Sequence, residues 1–155
     1  MRLLIPFLGK TRESYLDAGI RDYAGRLGRF AAVDLPVLRE RHNRKDPDES
    51  IKLAEAGQLL EQARGANIRV ALDPKGAELD SEGLAALLTK WEDQGAATVC
   101  FCIGGFLGLH RSVLDQADYT LSLSRLTFTH EMTRLLLLEQ LYRAWTIKAG
   151  HKYHK

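Results

Sequence analysis

Long apolar runs are missing from this chain of 155 residues, and cysteine is reduced to two positions. No segment approaches the ~20 consecutive apolar residues that a membrane-spanning helix needs. Even Leu135-Leu136-Leu137-Leu138 sits among Glu131, Arg134, Glu139 and Arg143. The opening Met1-Arg2-Leu3-Leu4-Ile5-Pro6-Phe7-Leu8 is too short for a secretory core, is broken by Pro6 and runs directly into Gly9-Lys10-Thr11. A first strand is expected there rather than a leader. Cys100 and Cys102 lie two apart in an expected strand, so both point to one sheet face and cannot bridge. Such sparing use of thiols fits a reducing compartment, and a soluble cytoplasmic protein is expected. Charge of one sign is also lacking: the formal net charge is +2, compatible with an anionic partner but too small to identify nucleic acid. There is no internal repeat, low-complexity stretch or linker. With 45% hydrophobic and 27% charged residues, residues 1–155 form one globular domain.

Apolar, β-branched segments alternate with helical periodicity, the pattern of an α/β domain with a largely parallel sheet. Strands are expected at Arg2 to Leu8, Ala32 to Leu38, Asn67 to Leu72, Ala97 to Ile103 and Tyr119 to Ser122. Helical stripes are formed by Leu16, Ile20, Tyr23, Leu27 and Phe30, by Leu53, Ala56, Leu60 and Ala63, and by Leu84, Leu87, Leu88 and Trp91. Asp46-Pro47-Asp48-Glu49 reads as a cap, a first-turn proline and a third-position acid, and Gly95 as a helix stop. The polar run Arg39 to Lys45 is expected as an exposed basic loop, either plain solvated surface or a phosphate contact.

Glycine motifs separate quickly into those that fail and one that stands. Gly9-Lys10-Thr11 lacks the glycine five residues earlier that a phosphate loop requires, since position 4 is Leu4. Gly104-Gly105-Phe106-Leu107-Gly108 departs from the dinucleotide fingerprint and has no acid partner ~20 residues later. It nevertheless follows a strand, and strand ends at Leu72, Ile103 and Ser122 should open at one sheet edge, where α/β proteins gather ligands. The last helix should start near Thr129, with Glu131 in its first turn. Its many leucines leave only a narrow polar strip, so one sheet cannot cover it, and a homodimer is expected. His151 and His154 with Cys100 and Cys102 miss the usual zinc spacings, and no metal is expected. The tail Gly150-His151-Lys152-Tyr153-His154-Lys155 offers stacking and phosphate-binding groups suited to an unstacked base, with an unstructured terminus as the rival explanation.

Ile103-Gly104-Gly105, Leu121-Ser122-Leu123-Ser124, Thr127-Phe128-Thr129-His130, Glu139 to Trp145 and Tyr153-His154-Lys155 together resemble one family. It is that of the bacterial ribosomal large-subunit pseudouridine N3-methyltransferases, minimal members of the SPOUT methyltransferases. The resemblance spans the whole chain and is most specific over the last ~55 residues, where separated motifs keep order and spacing. It implies a homodimeric, Rossmann-like α/β-knot fold, with a deep trefoil knot over roughly residues 71–155, and S-adenosylmethionine as cofactor. It also implies 23S rRNA as substrate, in the large subunit or assembled ribosome. By the same resemblance Leu72, Gly104, Leu123, Ser124, Arg125, Leu126, Thr127 and Phe128 contact the cofactor, while Arg143, Tyr153, His154 and Lys155 face the substrate. Of these, His154 is a general base or a holder of the uracil edge, Arg143 a stabiliser of charge on the ring carbonyls, Tyr153 a stacking ring and Lys155 a phosphate contact. Two departures stand out: Thr129 where relatives commonly have proline, which implies a looser cofactor loop, and Phe106-Leu107 in a variable part of the glycine loop. A non-catalytic ribosome assembly factor and a generic nucleotide-binding module are the rival functional classes.

Overall fold

The computed structural model describes all 155 residues. Short β-branched and apolar segments pair in parallel into a five-stranded sheet, β3-β1-β6-β5-β7. Its strands are β1 (Arg2–Leu4), β3 (Ala32–Asp34), β5 (Ile68–Glu78), β6 (Thr98–Cys102) and β7 (Tyr119–Ser122). Two short strands, β2 (Phe7–Leu8) and β4 (Val37–Leu38), form a second, two-stranded sheet.

Prolines explain why two expected strands are each cut in two. Ile5, Phe7 and Gly9 still donate to the carbonyls of Asp34, Pro36 and Leu38, at 2.9, 2.8 and 2.9 Å. Pro6 and Pro36 have no N–H to give, so each interrupts the ladder where a continuous strand would have donated. β5 departs in the other direction, running past Leu72. Leu72 and Ala77 both pair with Leu121, so Asp73 to Gly76 bulge out and the strand then rejoins β7. Gly76 is obligatory there, because a Cβ would lie 2.6 Å from the Thr120 carbonyl oxygen.

Alternation along the strands sorts the core onto two faces. Leu3, Ile5, Val70, Val99 and Phe101 meet α1 (Ser14–Leu27), α3 (Ser81–Asp93) and α5 (His130–Lys148). Leu4, Ala71, Cys100 and Cys102 meet α2 (Asp48–Ala63) and α4 (Arg111–Asp115). Both cysteines are buried and free on one face, as their spacing requires. The five-residue α4 is too short to have shown a period.

Helix ends hold two corrections. Asp46 does not cap α2: Pro47 occupies the cap position without a side-chain bond, and Asp46 accepts instead from the Asn43 N–H at 2.8 Å. The buried stripe of α2 is Ile51, Glu55, Ala56, Gln58, Leu59 and Ala63, whereas Leu53 is exposed. Its inward face is therefore rotated relative to the expected Leu53-Ala56-Leu60-Ala63 line. Gly95 does end α3, with φ +82° and its N–H on the Glu92 carbonyl at 2.9 Å. Thr129 caps α5, its Oγ1 accepting from the Met132 N–H at 3.2 Å. No α5 residue is fully exposed: α1 and α3 pack along its flanks, Leu137, Leu138, Leu141, Ala144 and Trp145 enter the core, and Leu135, Leu136 and Ile147 stay half-buried. No helix is long and apolar enough to cross a membrane.

Candidate cofactor cavity and the groove beside it

Three strand ends meet where the sequence places them. Beyond the carboxyl ends of β5, β6 and β7 lies a cavity of about 280 Å3, at the small end for small-molecule sites. Leu72, Asp73 and Pro74 enter at the β5 bulge, Ile103 to Leu109 from the end of β6 and the glycine loop, Leu121 from β7, and Leu123, Ser124, Leu126, Thr127 and Phe128 from the segment after β7. His130 and Thr133, from the first turn of α5, complete the wall.

Seven of the eight residues expected at the cofactor, Leu72, Gly104, Leu123, Ser124, Leu126, Thr127 and Phe128, share this one lining. Arg125 does not: its guanidinium turns to the Glu78 carboxylate at the end of β5, an exposed ion pair that fastens the segment from outside. Asp73, Pro74, His130 and Thr133 are among the lining residues that were not assigned. Their positions follow from the β5 bulge and the entry of α5, neither of which leaves a periodic trace.

Glycine is structural at the cavity floor. A Cβ on Gly104 would lie 2.5 Å from the Gly108 carbonyl carbon, and Gly108 closes the loop by donating to the Gly105 carbonyl at 3.0 Å with φ +82°. On the opposite wall Ser122 Oγ donates to the Ser124 carbonyl at 3.0 Å, and Leu126 N–H donates to Ser124 Oγ at 3.0 Å. The peptide N–H groups of Thr127 and Phe128 have no main-chain partner. Such a lining, apolar side chains interleaved with open peptide groups, suits a ligand carrying both a flat heterocycle and polar edges. Burial, aided by the Arg134 guanidinium, pushes the His130 imidazole below its ordinary value and favours the neutral ring.

A second, more polar groove continues along the same sheet edge, sharing Gly105, Phe106 and His130 with the cavity. Its remaining lining is Leu8, Lys10 and Arg12 after β2, Glu40, His42 and Arg44 before α2, Glu55 on α2 and Glu131 on α5. The floor is rigid. Arg134 is buried and donates to the Leu8 carbonyl at 2.8 Å and to Thr11 Oγ1 at 2.9 Å, with its guanidinium 4.5 Å from the Phe7 ring centre. Glu131 Oε1 accepts from the main-chain N–H groups of Arg12 and Glu13 at 2.6 and 3.1 Å.

The expected substrate-side residues lie elsewhere in the chain. Arg143, on α5, pairs with Glu139, and its guanidinium carbon sits 4.8 Å from the Tyr153 ring centre. Tyr153 OH donates to Glu139 Oε1 at 3.1 Å and meets Tyr23 OH at 3.2 Å, while its ring packs edge-on against Tyr142. Burial, with the Tyr23 contact and the Glu139 charge, raises the Tyr153 hydroxyl. His154 Nε2 stands 4.0 Å from Glu82 on α3, and Lys155 ends the chain exposed. The tail is packed rather than unstructured, with His151 edge-on to Phe30, yet none of Arg143, Tyr153, His154 and Lys155 lines the cavity of its own chain. No three His, Cys, Asp or Glu side chains converge as metal ligands would.

Comparison with known proteins agrees with this geometry. The family model described as "Predicted SPOUT methyltransferase" matches residues 1–154. A "Ribosomal RNA large subunit methyltransferase H" from Desulfotalea psychrophila is 46% identical over 156 residues, covering 100% of both chains. A protein of the same description from Halothermothrix orenii is 41% identical over 161 residues, again covering 100% of both. Among solved structures, a probable methylase family protein from Haemophilus influenzae superposes with a TM-score of 0.58 at 13% identity, over 99% of this chain and 70% of the other. A probable methyltransferase from Bordetella pertussis gives 0.57 at 14% identity, over 92% and 94%. With a parallel sheet whose β5, β6 and β7 ends build one cavity, and a family match from end to end, the chain belongs to the SPOUT methyltransferases.

Proposed function

We propose that this methyltransferase transfers a methyl group from S-adenosylmethionine to N3 of a pseudouridine in 23S ribosomal RNA. It acts as a homodimer in the cytoplasm, on the large subunit within the assembled ribosome. The observation that carries the reading is the end-to-end match to ribosomal RNA large subunit methyltransferases in a chain whose three strand ends form one cavity. Roughly residues 71–155, from within β5 to the tail after α5, form the family's trefoil knot. A single domain without a separate RNA-binding module suits a large, shaped target better than free RNA.

When bound, S-adenosylmethionine supplies an electrophilic methyl group on a sulfonium. The lining fits it: open peptide groups at Thr127 and Phe128 would meet its polar edges, and Gly104 would let the backbone approach closely. Leu72, Leu123, Ser124 and Leu126 would enclose it, while Arg125 ties the wall to Glu78. Holding the acceptor nitrogen in line with the methyl group supplies much of the rate gain. The imino proton of N3 must also leave. His154 takes that proton or holds the uracil edge, Arg143 offsets the charge that develops on the ring carbonyls, Tyr153 stacks on the base and Lys155 meets phosphate. Because these four lie away from their own chain's cavity, they serve the cavity of the second copy.

Tritium transfer from labelled S-adenosylmethionine to ribosomes checks the reaction, with mass mapping of the large-subunit RNA to locate the label. Label confined to N3 of one pseudouridine is expected. A ribosome assembly factor that only binds would label nothing, and that outcome ends this reading.

A further inference from the structure

Glu55 is one of five side chains that carry a buried polar atom without a partner. It sits on the inward face of α2, 5% exposed, and its Oε2 is buried without any hydrogen-bond partner. Its carboxylate lies so close to the glycine loop that a Cβ on Gly105 would collide with it. Burial pushes this carboxyl above its ordinary range, with Glu40 adding to the rise, while His42 and the Gly105 N–H oppose it. The other charged or titratable groups lining the same groove are Lys10, Arg12, Arg44, His130 and Glu131. An unpaired buried acceptor costs stability, so it calls for a ligand that donates.

Two further features give that ligand a shape. Phe106 is 61% exposed and stands on the wall shared by the groove and the cofactor cavity, a free ring face for an unstacked base. At the rim, Lys10, Arg12 and Arg44 are exposed and make no ion pair within the chain, so they are available to phosphates. The groove therefore offers a buried acceptor, a stacking surface and unpaired cations, side by side with the cavity.

We propose that this groove receives the acceptor nucleotide, and that Glu55 Oε2 accepts a hydrogen bond from N1–H of the pseudouridine, reading the group that distinguishes it from uridine. This rests on the proposed reaction. In pseudouridine the ring is joined to ribose through carbon, which leaves N1–H and N3–H two positions apart. With N3 turned towards the cofactor cavity across the Phe106 wall, N1–H is turned towards α2. Uridine carries its ribose on N1 and has no hydrogen there. It would leave Oε2 unpaired, and a site built to accept a substrate N–H rejects the analogue that lacks it.

Glu55→Gln is the discriminating variant. Its amide keeps one carbonyl-type oxygen beside Gly105 but replaces the acceptor Oε2 with a donor, which opposes N1–H. Calorimetry should show unchanged affinity for S-adenosylmethionine, and thermal unfolding at pH 7 should show a midpoint no lower than wild type, because a buried charge has been removed. Single-turnover methylation of pseudouridine-containing ribosomes should fall on the order of 100-fold. Wild type should prefer those ribosomes over ones bearing uridine at the target, and Glu55→Gln should lose the preference. Lys10→Ala combined with Arg44→Ala should raise the ribosome KM and shallow its salt dependence. Retention of both rate and preference by Glu55→Gln, or equal use of the two ribosomes by wild type, overturns the assignment of Glu55. An unchanged KM in the Lys10/Arg44 variant overturns the groove as the entry path. If wild type labels neither ribosome, the proposed reaction fails instead, which is a separate result.

Discussion

At the scale of single residues, what could be read in advance was whatever the backbone itself demands. Gly104 stood out because it follows a strand, and the collision that a Cβ would make with Gly108 supplies the reason. Cys100 and Cys102 declared their common face through spacing alone. Glu55 could not declare itself. It is a charged residue on an amphipathic helix, and every rule of patterning assigns such a residue to solvent. Only the contact between α2 and the glycine loop, which are 50 positions apart in the chain, puts it inside. Gly104→Ala tests the backbone argument: the loop must shift away from Gly108, which spoils the cavity floor. Calorimetry should then show affinity for S-adenosylmethionine at least ~10-fold weaker, about 1.4 kcal/mol. Circular dichroism should remain that of a folded α/β protein. Undiminished uptake would mean that the floor is not what holds the ligand.

At the scale of elements, periodicity located the strands and the longer helices, but it could not see pairing between distant segments. Tyr119 to Ser122 was legible as β7, whereas the return of β5 beyond Asp73 to Gly76 depends on Leu121 accepting two partners in succession. The prolines that divide the first two expected strands were visible in the sequence. Their effect arises because Pro6 and Pro36 stand at equivalent places in neighbouring strands. Thr129 shows an element correcting an expectation. Proline was expected to be missed there for its fixed φ, yet Thr129 already holds φ −61° and adds a side-chain cap that proline cannot make. Thr129→Ala should therefore lower stability by about 1 kcal/mol, through loss of the cap alone. Thr129→Pro exchanges that cap for reduced freedom of the unfolded chain, worth ~0.4–1 kcal/mol, and should fall within about 1 kcal/mol of wild type. Urea unfolding at matched m-values separates the two. Should Thr129→Pro prove much less stable than Thr129→Ala, the cap would not be the main contribution of this side chain.

At the scale of the whole molecule, the cavity and the groove lie at one edge of the sheet, whereas Arg143, Tyr153 and His154 pack between α1 and α3 along the middle of α5. A rise of 1.5 Å per helical residue puts Arg143 roughly 15 Å along α5 from Thr133 in the cavity wall. The tail doubles back only as far as Glu139. On the proposed function, a single copy therefore holds both halves of the chemistry without joining them. In a two-fold dimer a tail that meets the other protomer's cavity does so at both sites, because every contact in such an interface occurs twice. Coexpression of two differently tagged, individually impaired chains, assayed at S-adenosylmethionine too dilute to fill the weakened cavity, separates the arrangements: Gly104→Ala, with a damaged cavity and an intact tail, and Arg143→Ala, with the reverse. If tails act across the interface, each mixed dimer contains one site with both intact parts. Random assortment then restores about a quarter of the wild-type rate per total site. If tails act within their own chain, no site in any dimer is whole, and the mixture stays as inactive as its parents. Purification through both tags in sequence should double the recovered fraction to about half, since every molecule is then a mixed dimer. Failure of doubly tagged material to form at all would remove the homodimer itself, and with it the proposed route by which Arg143, Tyr153 and His154 reach the acceptor base.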